Sequence, residues 1–259
     1  MDTDVLHGLL IGLSILISAA AGLILARTVA AWLADDAQLE LISRVRPVRG
    51  PWLVIAGICI AAAAALLFPS GQVIPVDTGF TAYAPLSGTT FDPTAPNPAD
   101  IILLALVLGV VAAATPFLIV VDIHVHRLPD RLVYPLISVC LLTMVLGSLI
   151  GESRIWFIGL IAGLGAAAVF GLVHLIGRLM RMRTMGLGDV KLAFVVFSTA
   201  GLFDLWAPGL AFIVIMFIAG IWALIAAAVK RSLKATTIAF GPAMLSGMWV
   251  GSVVSPFLL

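Results

Sequence analysis

The sequence predicts an all-α integral membrane protein, a polytopic helical bundle with about eight transmembrane helices. Of its 259 residues, 62% are hydrophobic and only 10% are charged, whereas soluble domains are about half apolar and a quarter charged. The apolar residues form long runs that end at charge, Pro or Gly. Eight runs of about 20 residues, the length that crosses a bilayer, would use most of this apolar share.

The runs follow one another with short connections in all but one place. The first lacks the basic residues that precede a cleaved signal peptide, so we expect it to be retained. The sixth and seventh are separated only by a corner at 203–208, and their combined length predicts two helices with a tight turn. In order, the predicted spans are 6–33, 52–68, 101–121, 132–150, 155–177, 190–207, 209–229 and 238–258.

The cations predict the orientation of these spans. Thirteen of the 14 Lys and Arg residues lie in or beside alternate loops, and only Arg154 lies in a loop of the other set. The positive-inside rule assigns the cation-rich loops to the cytoplasm, so both termini are predicted outside. Segment 69–99, which holds six Pro and no Lys or Arg, is then an extracytoplasmic loop.

The chain divides at residue 100 in this interpretation. Residues 1–100 would hold two transmembrane helices and the loop 69–99, and residues 101–259 would form a six-helix catalytic core. The net charge of +1 argues against a nucleic-acid partner. Cys59 and Cys140 form no C-x-x-C pair, and nothing completes a metal site around His124 and His126. We therefore expect no metal and no cofactor, and the sequence indicates no oligomeric state.

Two carboxylates stand at span edges on the predicted cytoplasmic side. Asp122 follows the apolar run 101–121, and Asp189 precedes the run 190–207. Ionisable groups at such positions are usually functional, and two facing carboxylates can act as general base and general acid on a water and a carbonyl. Two other interpretations stay open. Asp189 could cap the sixth span, or the pair could relay protons in a transporter, which would more typically hold its charges near the midplane.

Small and rigid residues surround both carboxylates. Gly186 and Gly188 precede Asp189, and their missing side chains would let the backbone turn sharply and a substrate backbone approach. Pro129 breaks the helix after Asp122, and Asp130 suits the N-cap of the fourth span. Lys191 could contact lipid phosphate, pair with Asp130, or lower the pKa of a carboxylate.

These motifs resemble those of type IV prepilin peptidases, the leader peptidases of the G-x-G-D membrane aspartyl protease group. In that family the first catalytic Asp is followed at fixed spacing by Pro, then Asp or Asn, and a further Pro; a G-x-G-D-[VI]-K-[LF] motif and an F-G-P follow. The matching residues are Asp122, Pro129, Asp130 and Pro135, then Gly186, Gly188, Asp189, Val190, Lys191 and Leu192, and finally Phe240, Gly241 and Pro242.

The resemblance implies an aspartic endopeptidase in a bacterial or archaeal cytoplasmic membrane. It would cleave the short basic leader of prepilins or pseudopilins at the cytoplasmic face, with Asp122 and Asp189 as catalytic residues and membrane lipid around it. Gly186, Gly188, Lys191, Pro129 and Asp130 would bind substrate or shape the site. Larger family members carry a cytoplasmic domain with paired C-x-x-C zinc motifs and also N-methylate the product. Here residues 35–50 hold no cysteine, so we expect a compact form without methyltransferase activity.

Overall fold

The computed structural model describes residues 3–33, 50–69, 98–151, 153–180, 186–230 and 239–258. Within these ranges the chain forms nine α-helices and no β-strand, which confirms the all-α prediction. The helices are α1 (Thr3–Arg27), α2 (Val29–Trp32), α3 (Pro51–Leu66), α4 (Pro98–Val125), α5 (Asp130–Ile150), α6 (Ile155–Leu179), α7 (Leu187–Ala200), α8 (Ala207–Lys230) and α9 (Gly241–Leu258).

Eight of these helices coincide with the eight predicted spans, and α2 is an addition. The first predicted span, 6–33, is interrupted at Thr28, where α1 ends and α2 begins. Both the amide and the hydroxyl of Thr28 donate to the Ile24 carbonyl, at 2.9 and 2.8 Å. A Thr hydroxyl that bonds back to the fourth preceding carbonyl competes with the backbone and bends helices. The interruption at Thr28 therefore separates the short α2 from α1.

The membrane prediction is confirmed in its coarse form. Five described helices are long and apolar enough to cross a membrane, namely α1 from Val5, α4, α5, α6, and α8 as far as Ile225. Helix α3 is a shorter apolar helix. Eight complete crossings, the outside location of both termini and the division at residue 100 stay predictions. Most of the predicted loop 69–99 lies outside the described residues, although 98 and 99 already belong to α4.

Helix α7 is shorter than predicted. It ends at Ala200 instead of 207, and a turn at 201–206 leads into α8, so the predicted two-helix arrangement is confirmed with an earlier corner. Its 14 residues extend about 21 Å, less than the ~30 Å hydrocarbon core of a bilayer. Residues 192–200 are all buried, and α7 contacts α5, α6, α8 and α9. Protein packing, rather than lipid, therefore surrounds this short helix.

Helix α4 lies at the centre of the bundle and carries Asp122 near its C-terminal end. It contacts α1, α3, α5 and α9, and small residues bring two of these neighbours close. A Cβ added to Gly109 would lie 2.8 Å from Ile17 of α1, and one added to Gly57 of α3 would lie 3.0 Å from the Ala113 backbone. This close packing against α1 and α3 holds α4 in place, and with it Asp122 near its C-terminal end.

Candidate active site

Asp122 is a buried carboxylate that two helices hold. It lies in the last turn of α4 with a relative exposure of 4%. The Gly241 amide, at the first position of α9, donates to Asp122 Oδ2 at 2.9 Å. The first amides of a helix have no partner within the helix, and the positive end of the helix dipole attracts anions. The N-terminus of α9 therefore positions Asp122 and stabilises its charge.

Asp189 lines the same cleft as Asp122, in the first turn of α7. Its Oδ2 accepts the Gly186 amide at 3.2 Å, so Asp189 does cap the helix, as one of the open interpretations had it. The residue precedes the apolar run 190–207 and is half-buried. Burial and the charge of Asp122 raise the pKa of Asp189 to about 6, while the Gly186 hydrogen bond lowers it. The Asp189 carboxyl group therefore titrates closer to neutral pH than an ordinary aspartic acid does.

A cleft of about 620 Å³ connects the two carboxylates. It brings together the end of α4, the loop that follows it, and the start of α7, as the predicted common membrane level required. Nearly all of the predicted site residues reach it. Its lining consists of Asp122, His126, Arg127, Leu128, Asp130, Gly186, Leu187, Gly188, Asp189 and Lys191. The volume falls within the range of ligand sites, about 300–1,000 Å³.

Gly186 and Gly188 do not form the glycine-dependent sharp turn that the sequence predicted. Gly186 has φ −73° and ψ 149°, an extended conformation that any residue adopts. A Cβ added there would lie 3.4 Å from Asp189 Oδ2, and one added at Gly188 would lie 3.4 Å from Leu128, which is ordinary contact. The expectation of a glycine-dependent sharp turn is therefore wrong for this state. Both glycines line the cleft, and their missing side chains leave space there that a substrate backbone would need.

Asp130 does not cap α5, and this prediction is wrong. Pro129 occupies the N-cap position and is buried, with its carbonyl accepting the amides of Leu132 and Val133 at 3.0 and 3.1 Å. Pro129 thus holds the start of α5 without lining the cleft. The Asp130 carboxylate is turned instead to Lys191, whose Nζ donates to Oδ1 at 2.7 Å. Of the three roles left open for Lys191, pairing with Asp130 is the one observed.

His126 and Gly241 contribute to the site without having been among the predicted site residues. His126 follows α4, lines the cleft and has φ 56°, a left-handed conformation that is uncommon for His. Its amide donates to the Asp122 carbonyl at 2.8 Å. His124 still belongs to α4. The F-G-P triplet was the sequence signal for Gly241, but only the structure shows its hydrogen bond to Asp122.

Among the described residues, His, Cys, Asp and Glu side chains form no group of three that could hold a metal ion. No curated protein and no solved structure matches the chain significantly. A family model does match: that of the type IV leader peptidase family covers residues 109–228, from the middle of α4 into α8. That segment carries both carboxylates, the two glycines and the Lys191–Asp130 pair. Residues 109–228, which include both Asp122 and Asp189, are therefore similar to the type IV leader peptidase family.

Proposed function

We propose that this protein is a membrane aspartyl endopeptidase that removes the basic leader of prepilins or pseudopilins at the cytoplasmic face. The peptidase family covers the catalytic segment. The observation that carries the aspartyl mechanism is the cleft, which both Asp122 and Asp189 line. Thirteen of 14 cations in alternate loops support the cytoplasmic side. The missing cysteine motif in 35–50 supports a form without N-methylation.

The chemistry needs one carboxylate and one carboxylic acid. The ionised member takes a proton from water as the water oxygen attacks the scissile carbonyl, and the protonated member donates to the carbonyl oxygen. Collapse of the tetrahedral diol then breaks the C–N bond, and the amine leaves with a proton from the dyad. A raised pKa of about 6 for Asp189 suits one shared proton at neutral pH. The roles of base and acid are not assigned to either residue.

A proton-coupled transporter is the alternative use of two such carboxylates. A relay of that kind typically lies near the bilayer midplane between broken helices. Here one carboxylate lies in the last turn of α4 and the other in the first turn of α7, at helix ends that share one cleft. This placement and the peptidase family favour the protease, so we do not pursue the transporter further.

The test is co-expression with a candidate prepilin, with leader removal read as a gel shift. Asp122→Asn and Asp189→Asn should each abolish the shift. Asp204→Asn is the matched control, because Asp204 is a buried carboxylate beyond the opposite end of α7 and should leave processing intact. Processing by both dyad variants at the wild-type rate would refute the aspartyl mechanism. Mass spectrometry of the product N-terminus decides methylation in the same experiment.

A further inference from the structure

The Lys191–Asp130 pair lies in the cleft and is surrounded by an unusual set of groups. Lys191 Nζ is 2.7 Å from Asp130 Oδ1 and also 4.4 Å from the centroid of the Tyr134 ring. Asp130 and Tyr134 are four residues apart in the first turns of α5, so they share one helix face. A carboxylate beside an aromatic face is a typical binding site for an ammonium or guanidinium group. The protein's own lysine occupies this one.

The pair is open to exchange. The Asp130 side chain is 50% exposed and the Lys191 side chain 23% exposed. Ion pairs with this exposure contribute little to stability, since water screens the attraction and ordering a lysine opposes it. A second cation that entered the cleft would meet the Asp130 carboxylate, and in the position of Lys191 Nζ it would also face the Tyr134 ring. Displacement of Lys191 from Asp130 would therefore cost little free energy.

We propose that Asp130 and Tyr134 form a subsite for a cationic side chain of the substrate, which Lys191 fills while the cleft is empty. This inference rests on the proposed peptidase function and adds a specificity determinant to it. Asp130 and Lys191 line the same cleft as Asp122 and Asp189, and the Tyr134 ring lies beside Lys191 Nζ. A leader bound there would place one of its Lys or Arg residues on Asp130 while the peptide extends past the two catalytic carboxylates.

The competing explanation is a structural tether. Lys191 lies two residues after Asp189, and Asp130 begins α5, so the ion pair also joins α5 to α7, both of which contribute residues to the cleft. A tether would help every substrate equally. A subsite would help only substrates with a cation. The two explanations therefore predict different substrate dependence, which a pair of matched leaders can measure.

The experiment compares a candidate prepilin that has its natural basic leader with the same prepilin whose leader Lys and Arg are replaced by Gln. Initial processing rates give kcat/KM for both substrates with the full-length protein in vesicles. Asp130→Asn should reduce the ratio of basic to neutral substrate about three- to tenfold, and Tyr134→Leu about two- to fivefold, as expected for partly exposed charge and cation–π contacts. Lys191→Met should raise the ratio, because it removes the competing cation.

A charge swap, Asp130→Lys with Lys191→Asp, separates the two explanations when folding is a concern. The swap retains an ion pair between α5 and α7 but places a cation where the substrate cation would bind, so the ratio should stay low. Recovery of the wild-type ratio by the swap, or an equal loss on both substrates in the single variants, would overturn the subsite. Absence of processing of either substrate by the wild type would instead refute the peptidase function and the subsite together.

Discussion

Substituting Gly241 by Ala tests whether α9 positions Asp122, one of the two proposed catalytic residues. A Cβ at this position would lie 2.7 Å from Asp122 Oδ2 and 3.2 Å from Cγ, against ordinary contacts of 3.4–4 Å. The carboxylate would have to move by about 0.7 Å or more, and its hydrogen bond from the Gly241 amide, now 2.9 Å, would lengthen or break. A carboxylate that is 4% exposed has little room for this movement.

The magnitude follows from these distances. A displacement of about 1 Å in a catalytic group lowers the rate roughly 10²-fold, because the reacting atoms leave their productive geometry. Losing a hydrogen bond to a buried charge costs about 1.5–3 kcal/mol of stability. We therefore expect Gly241→Ala to lower kcat for prepilin processing roughly 10- to 100-fold. We also expect the variant to unfold at a measurably lower temperature.

Processing kinetics and thermal unfolding in detergent check this prediction. Gly165→Ala in α6 is the matched control, since a Cβ there meets no atom within 4 Å. Alanine should be tolerated or slightly stabilising at that position, because glycine lowers helix stability by about 0.5–1 kcal/mol. A Gly241→Ala variant with the wild-type rate and unfolding temperature would refute the positioning role of α9.

Three further variants test other parts of the structure. Asp189→Asn should stabilise the fold at pH 7.5 by up to about 3 kcal/mol. The pKa of Asp189 is raised to about 6, so the wild-type native state loses stability as pH rises from 4 towards 6, and asparagine avoids this loss. The gain should vanish near pH 4 in thermal unfolding, and a gain that is independent of pH would contradict the prediction. Gly188→Ala should leave the unfolding temperature unchanged, because its Cβ would meet Leu128 at 3.4 Å, an ordinary contact. It should slow processing, because the added methyl group narrows the cleft that Gly188 lines; loss of folding would show a structural need for glycine. Trp156→Phe should cost about 1–3 kcal/mol of stability, since Trp156 Nε1 donates to the buried Asp100 at 2.7 Å. Chemical denaturation measures this loss, and an unchanged free energy of unfolding would show that the bond contributes nothing.

Hydrophobic pattern was sufficient to predict where the helices lie. An apolar run bounded by charge or Pro has one stable solution in lipid, because a helix satisfies its own backbone. The pattern does not determine where a helix stops inside the protein. Helix α7 ends at Ala200 although apolar residues continue to 203, since its surroundings are other helices and not lipid. The break at Thr28 depends on one hydroxyl and was likewise not predicted.

The site was predictable where motif spacing is local and not where contacts are long-range. The locations of Asp122 and Asp189 at one cleft followed from topology. The partner of Lys191 was one of three possibilities, because choosing among them required the distance to Asp130. The hydrogen bond from Gly241 to Asp122 joins residues separated by 119 positions, and no pairing rule for helices covers such a contact. Backbone donors leave no signature in sequence beyond the residue type that permits close approach.

That same separation has a consequence for how the protein folds. Because α4 precedes α9 in the chain, we expect Asp122 to lack the Gly241 amide until α9 has been made and has packed against α4. Only when α9 packs against α4 does the buried charge gain its hydrogen bond. We therefore expect the proposed catalytic site to be complete only after α9 has packed. If the chain is the peptidase proposed above, its activity should appear only once the bundle has closed.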